Sequence, residues 1–219
     1  MQAPSSTGPT PLPRWVPVVF AVSGFAALVY QVVWQRSLFT IYGINIESVT
    51  VVVTAFMLGL GFGSLAGGAL SKNPRRSVLR LFALVETGIG VFGFVSLPLF
   101  RMVGAWTLHA SPTVTAVVTF LLLLVPTLLM GATLPLLVAH AVRVTGNVGR
   151  SVGNLYFVNT LGSAIASLVT VVVLLMWLGQ QGSVIIAGVL NCGAGAYVFL
   201  RSAGPGGAVS QPAPEGGAS

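Results

Sequence analysis

Residues 48–70 read SVTVVVTAFMLGLGFGSLAGGAL and contain no charged side chain. A helix needs about 20 consecutive apolar residues to cross the hydrocarbon core of a bilayer, and this stretch is long enough. Within it, GFGSLA also fits the glycine fingerprint of a dinucleotide-binding loop, G-x-G-x-x-A. That fingerprint requires a preceding strand in a βαβ unit, and nothing nearby is typical of one. We therefore interpret the stretch as a membrane-spanning helix and expect no nucleotide cofactor.

Small residues recur at every fourth position of this helix: Ala55, Gly59, Gly63 and Gly67. Such a stripe lets two helix backbones approach closely in lipid, where dispersion and weak Cα–H···O contacts hold them together. We predict that the stripe packs against another helix. The partner belongs either to the same chain or to a second copy of it.

The composition of the whole chain agrees with a membrane protein. Of 219 residues, 55% are hydrophobic and only 6% are charged, whereas a soluble domain carries about a quarter charged residues. The net charge of +7 does not indicate nucleic-acid binding, because no basic run is interleaved with aromatic residues. Membrane proteins collect Lys and Arg in cytoplasmic loops. The expected partner is therefore the lipid bilayer, with no nucleic acid.

Six long apolar segments predict an all-α protein with six transmembrane helices. Alternating apolar and polar residues, which would indicate a barrel, are absent. We expect a disordered tail over 1–14, a six-helix domain over 15–201 and a disordered Gly/Pro-rich tail over 202–219, without a removable signal peptide. The predicted spans are Trp15–Val33, Ser48–Leu70, Val78–Phe100, Val114–Val138, Leu155–Leu178 and Val184–Leu200.

The basic residues are distributed unequally between the two sides that six spans define. Eight of the ten fall on the side of the termini, which predicts that both termini are cytoplasmic. The eight are Arg14, Lys72, Arg75, Arg76, Arg80, Arg143, Arg150 and Arg201, and the other two are Arg36 and Arg101.

Glu86 is the only acidic residue well inside a predicted span, and intramembrane charges are costly and rarely accidental. It lies about seven residues, or roughly 10 Å, from the cytoplasmic end of the third span. The fifth span starts from the same side with polar residues at helical spacing. We therefore predict an inner-leaflet polar cluster of Glu86, Tyr156, Asn159 and Thr160.

Two interpretations of this cluster remain open. In one, Asn159 or Tyr156 hydrogen-bonds a protonated Glu86 and fixes the helix packing. In the other, the cluster is a proton or cation site that opens to the cytoplasm. The lone Cys192 has no second thiolate with which to share a metal, so we expect neither a disulfide nor a metal site.

Two further features concern the fourth and first spans. Pro126 and Pro135 each remove a backbone donor, and Gly131 lies between them, which predicts a kinked or broken helix of the kind that often lines transport sites. At the outer end of the first span, Trp34 fits an interfacial aromatic belt.

Four blocks of the sequence resemble the membrane domain of bacterial fused MFS/spermidine synthase proteins. They are SGFAALVYQVVWQRSLFTIYG, TAFMLGLGFGSLAGGALSK, PTLLMGATLPLL and GRSVGNLYFVNTLGSAIAS. The resemblance implies a multi-span region joined to a soluble aminopropyltransferase-like Rossmann domain, which this sequence does not contain. Family members usually carry Glu where this chain has Gln31, and the swap to a neutral amide would weaken any cation handling there.

The chain also resembles half of a major facilitator bundle. GGALSKNPRRSVL is similar to that superfamily's cytoplasmic loop, G-x-L-a-D-R-x-G-R-R, with Gly67, Arg75 and Arg76 matching. Ser71 stands where Asp is expected and Pro74 where Gly is expected, which puts the gating charge pair in doubt.

Three functions follow as hypotheses, all in a bacterial inner membrane. The first is a membrane anchor or subunit for a partner protein or complex. The second is a small half-transporter for a polar or cationic solute, working as a homo-oligomer. The third, an aminopropyltransferase-related enzyme, has no support beyond similarity, because the residues offer no catalytic cluster.

Overall fold

The computed structural model describes residues 11–43, 45–73 and 76–203, and within these ranges every regular element is helical. Six helices are long and apolar enough to cross a membrane, which confirms the predicted number of spans. The elements are α1 (Trp15–Tyr42), α2 (Asn45–Ser71), α3 (Val78–Trp106), α4 (Pro112–Thr145), α5 (Val148–Val169), a π-helical segment (Thr170–Leu174), α6 (Leu175–Trp177) and α7 (Gly179–Ala203).

Local sequence signals set the helix ends. The side chains of Ser77, Ser111 and Asn147 cap the N-termini of α3, α4 and α5 by accepting backbone N–H groups. Gly43 and Gly146 end α1 and α4 in the left-handed conformation, with φ of 69° and 68°. These caps lie beyond the apolar segments, so the helices are longer than the spans predicted from hydropathy.

The fifth span is not one regular helix. It runs over Val148–Trp177 and passes through the π-helical segment, in which Thr170 is fully buried. A π-helical turn inserts an extra residue into the helix and is often found at functional sites. The apolar pattern of this stretch gave no sign of it.

The predicted tails fall mainly outside the described residues, as residues 1–10 and 204–219. Arg75, counted above among the basic residues, also lies outside them. Ser202 continues α7, so the helix extends slightly past the predicted start of the tail. The division into tails and a six-helix domain stays a prediction.

The stripe of small residues on α2 faces α4. A Cβ on Gly63 would collide with the carbonyl oxygen of Leu128, and one on Gly67 would lie 2.7 Å from the carbonyl oxygen of Ala132. Gly131 of α4 is equally confined, because its Cβ would lie 2.5 Å from the carbonyl oxygen of Leu60. The structure thus places the stripe against a helix of the same chain, in direct backbone contact.

Helix α4 continues through both of its internal prolines, Pro126 and Pro135. The expectation of a broken helix is therefore wrong, and a bend at these positions stays a prediction. Thr127 follows Pro126, and its Oγ1 lies 2.9 Å from the carbonyl oxygen of Leu123 and 3.1 Å from that of Ala55, which ties α4 to α2 at this position. Gly131 serves close packing against α2.

The interior is centred on an aromatic group, and the expectation that Trp34 lies at the interface is wrong. Trp34 is fully buried, stacks on Tyr30 at 5.0 Å between ring centroids, and donates its Nε1–H to Ser96 Oγ at 3.0 Å. A buried indole needs a partner for its N–H, and a serine on α3 supplies it.

One end of the bundle, which we call the basic end, carries the starts of α1, α3 and α5 and the ends of α2, α4 and α7. Trp15 of α1 lies against Tyr197 of α7 there, and Arg143 of α4 donates to the carbonyl oxygen of Ser71 on α2 at 2.8 Å. The described basic residues at this end are Arg14, Lys72, Arg76, Arg80, Arg143, Arg150 and Arg201. Which side of a membrane this end faces stays a prediction.

Candidate functional site

Glu86 lies on α3 with no solvent exposure and accepts two hydrogen bonds from other helices. Ser23 of α1 donates its hydroxyl to Oε1 at 2.5 Å, and Asn191 of α7 donates Nδ2–H to Oε2 at 2.6 Å. Both carboxyl oxygens are thus occupied by donors. A carboxyl group in the interior of a bundle is stable only with such partners.

Glycines bring α7 close enough for Asn191 to reach α3. A Cβ on Gly90 would lie 2.9 Å from the carbonyl oxygen of Gly188, and one on Gly195 would lie 2.8 Å from the carbonyl oxygen of Ala83. Asn191 is placed between these two α7 glycines, one turn from each. Glu86 has the corresponding position on α3, between Ala83 and Gly90.

A cavity of about 130 Å³ lies beside this group, and all six spans contribute to its wall. Its lining is mixed: apolar side chains alternate with amides and hydroxyls. The polar lining residues are Ser23, Gln31, Thr133, Asn159, Ser163 and Asn191. Glu86 itself stands behind Ser23 and Asn191, in contact with two residues of the wall.

Asn191 carries an acceptor without a donor. Its side chain is 1% exposed, and because Nδ2 is committed to Glu86, its Oδ1 has no hydrogen-bond partner in the structure. A buried amide oxygen without a partner costs about 1–3 kcal/mol. Asn191 also lines the cavity, although its Oδ1 is itself buried. The hydroxyl groups of Tyr30 and Thr170 are likewise buried without a hydrogen-bond partner.

The structure gathers only part of the polar cluster expected from the sequence. Asn159 lines the cavity, and its Nδ2–H donates to the carbonyl oxygen of Phe20 at 3.1 Å. Tyr156 is 63% exposed on the outside of the bundle, and Thr160 is exposed as well. Neither hydrogen-bonds Glu86. The reason is rotational: α5 turns Leu155, Asn159 and Gly162 inward, and the opposite face towards lipid.

Ser23 and Asn191, the true partners of Glu86, were missed by the sequence argument. Asn191 is a lone amide in the apolar sixth span, and an amide in that setting signals an interhelical hydrogen bond. Ser23 gave a weaker signal, because serine is common in membrane helices. Gln31, noted for its departure from the family pattern, does line the cavity.

The site offers oxygen acceptors and one carboxyl group in a confined space. Among the described residues, no three His, Cys, Asp or Glu side chains come together as a metal site would need. The wall also contains the Ser23 hydroxyl, which is bonded to the Glu86 carboxyl group. Such a set of groups can recognise a small guest that donates hydrogen bonds, and an ionised Glu86 would balance a positive charge.

Comparison with known proteins finds relatives of low sequence identity. No family model and no solved structure matches the chain. The chain is 28% identical over 182 residues to polyamine aminopropyltransferase 1 of Streptomyces coelicolor, covering 81% of this chain and 33% of that protein. It is also 28% identical over 185 residues to polyamine aminopropyltransferase 2 of the same organism, covering 82% and 32%. The chain spans about a third of the length of these curated relatives, to which it is similar over most of its own length.

Proposed function

We propose that the six-helix bundle binds a small ammonium-bearing solute in its central cavity and acts as a membrane-embedded half-transporter for it. The observation that carries this proposal is Asn191, a residue of the cavity wall whose buried Oδ1 has no donor and whose Nδ2–H is bonded to the Glu86 carboxyl group. An ammonium group has only donors, so it complements an acceptor oxygen and a carboxylate together.

The charge balance of the site supports a cation over a neutral guest. An ionised carboxylate in the bundle interior is stable only when it is paired or multiply hydrogen-bonded. Ser23 and Asn191 give Glu86 two hydrogen bonds and no positive charge. A bound ammonium group that donates to Asn191 Oδ1 would place a positive charge near the Glu86 carboxylate, with the Asn191 amide between them. The cavity is less suited to an anion, because its lining contains no Lys or Arg to donate charged hydrogen bonds.

The pairing of helices supports a transporter-like architecture. The most extensive contacts join the first span to the fifth, the second to the fourth and the third to the sixth. If spans one, two and three are exchanged with spans four, five and six, the pair of spans one and five becomes the pair of spans four and two. The pair of spans three and six is unchanged. This symmetry of contacts is the one expected of internal repeats, which are typical of transporters and hold the solute site between them. The cavity here is likewise lined by spans of both halves.

The activity of the two relatives favours an amine as the solute. Both are polyamine aminopropyltransferases, and polyamines are flexible chains of ammonium groups. An amine is thus the guest that agrees with both the site and the relatives. The catalytic activity of those proteins belongs to longer chains, of which this chain matches about a third, and is not part of this proposal.

Binding of labelled spermidine to the purified protein tests the proposal. We expect saturable binding that Glu86→Gln weakens at least about tenfold, since the substitution removes the balancing charge. Glu47→Gln is the matched control, because it makes the same change at an exposed position at the start of α2. Equal affinity in wild type and Glu86→Gln would refute the amine site.

Transport itself requires proteoliposomes loaded or bathed with spermidine. We expect flux in wild type and Glu47→Gln, and flux reduced by at least about tenfold in Glu86→Gln. Binding without flux in the wild-type protein would reduce the proposal to an amine-binding membrane subunit.

The basic end favours a second candidate, an anchor or subunit for a soluble partner. Arg150 lines a hollow of about 500 Å³ with Leu12, Asn147 and Asn154, and the same end of the bundle carries further arginines and a lysine. A positive surface steers binding of an acidic partner. Mild-detergent purification from the native host tests it: an acidic partner should co-purify with wild type and be reduced with Arg150→Glu. Purification of the chain alone from that host contradicts this candidate.

A further inference from the structure

A groove of about 490 Å³ runs along the outside of the bundle between α1 and α7, separate from the central cavity. Its sides are apolar: Val18 and Val22 lie on α1 and Val189 on α7, with Val18 62% and Val189 58% exposed. Gly193 forms part of its floor, and a Cβ there would meet no atom within 4 Å. Its volume is that of a small-molecule site.

One end of the groove has a different chemistry from the rest. Arg14, Trp15 and Tyr197 line it at the basic end, where the two ring centroids are 6.1 Å apart, edge to face. The guanidinium carbon of Arg201 stands 5.3 Å from the centre of the Tyr197 ring. One arginine and two amphipathic rings thus line this end of the apolar groove, and a second arginine contacts one of the rings.

The direction of the groove matches that of a lipid in a bilayer. Val22 lies eight residues beyond Arg14 on α1, about 12 Å deeper along the helix axis. Trp and Tyr concentrate at the level of lipid headgroups, so the mouth of the groove is at the membrane surface and its apolar part is in the hydrocarbon region. A single acyl chain aligned with the helices fits this shape.

We infer that the α1/α7 groove is a binding site for one anionic phospholipid. The acyl chain occupies the valine-lined part above Gly193, and the phosphate-containing headgroup lies between Arg14 and Arg201. Basic pockets between transmembrane helices bind anionic headgroups in this way. A second copy of the chain is a poorer occupant, because a two-fold contact through this groove would bring like-charged arginines together.

Native mass spectrometry of the protein in a detergent containing equal amounts of phosphatidylglycerol and phosphatidylcholine, with the same acyl chains, tests the inference. We expect one phosphatidylglycerol retained at least about fivefold more than phosphatidylcholine, and Arg14→Gln should reduce this preference about fivefold. Gly193→Trp should abolish retention of both lipids, because a Cβ at Gly193 has open space around it and the indole attached to it would occupy the groove.

Gly61→Trp is the matched control, since Gly61 is also an exposed helical glycine with open space around it. It should retain phosphatidylglycerol as wild type does, and all variants should keep the wild-type helical content by circular dichroism. Equal retention of the two lipids by wild type would overturn the inference. So would unchanged retention in Gly193→Trp, or a dimer that this substitution dissociates.

Discussion

The contact between α2 and α4 and the contact of α3 with α1 and α7 use different chemistry for the same purpose, holding helices together where water cannot drive association. Along α2, side chains are removed, and Gly63 brings the backbones of two helices together. Around α3, a carboxyl group is added and joined to Ser23 and Asn191. The first contact combines close backbone packing with hydrogen bonds to backbone carbonyl groups, whereas the second contains a buried carboxyl group that packing does not need. The comparison teaches that Glu86 is a better candidate for function than the glycines.

The largest effect should come from adding volume to the α2/α4 contact. Gly63→Leu forces a side chain against the Leu128 carbonyl group and should cost about 3 kcal/mol or more, with loss of the folded bundle. Gly61→Leu, on the same helix but with open space at its Cβ, should unfold like wild type. Unfolding by SDS in mixed micelles, followed by circular dichroism, measures both. Similar midpoints for the two variants would show that the helices do not touch there.

An intermediate effect should come from removing one donor at α3. Asn191→Leu leaves Oε2 of Glu86 without its partner and should destabilise the bundle by about 2 kcal/mol. The same SDS titration measures the change. The double variant Asn191→Leu with Glu86→Leu should recover part of the loss, because it buries no unpaired carboxyl group. No recovery would mean that the two side chains do not interact.

A smaller loss is expected at the aromatic centre. Trp34→Phe keeps an apolar ring but removes the Nε1–H bond to Ser96, whose own hydroxyl still donates to the carbonyl oxygen of Gly93 at 2.8 Å. The lost hydrogen bond and the smaller ring should cost about 1 kcal/mol or slightly more. An unchanged SDS midpoint would place Trp34 at the interface, as the sequence suggested, and not in the core.

The smallest effect should come from Tyr156. Its side chain is 63% exposed and has no hydrogen bond to Glu86, so Tyr156→Leu should change the free energy of unfolding by less than about 0.5 kcal/mol. It should also leave spermidine binding unchanged. A loss of binding comparable to that of Glu86→Gln would restore the cluster expected from the sequence and break the present arrangement.

The sequence was sufficient to predict the six membrane-spanning helices, but not to predict which face of each helix points into the bundle. Hydropathy identified six spans because lipid imposes length and apolarity on each of them. The four-residue interval between Gly63 and Gly67 identified a helix face that a neighbouring helix could approach closely. Glu86 was found because a charge in lipid is conspicuous. Its partners were not identified, because the sequence of a mostly apolar helix does not indicate which face points inward. Only tertiary packing brings Asn191, and not Tyr156, to Glu86.

The basic end shows the same limit. Positions of Arg14 and Arg201 at helix ends could be read from the chain, as could their common side. The contact of Trp15 with Tyr197, and of Arg201 with the Tyr197 ring, could not, since the first depends on which helices are neighbours. The π-helical turn around Thr170 is also invisible to hydropathy, because it changes helical phase without changing apolar character.

The most direct test of the central claim is a crystal structure of the protein grown in a lipid mesophase with spermidine. The account predicts a guest in the cavity shared by the six spans, with an ammonium nitrogen within hydrogen-bond distance of Asn191 Oδ1 and with Asn191 still bonded to Glu86. A cavity that holds only water at saturating spermidine, or an Asn191 oxygen paired with another protein group, would contradict it.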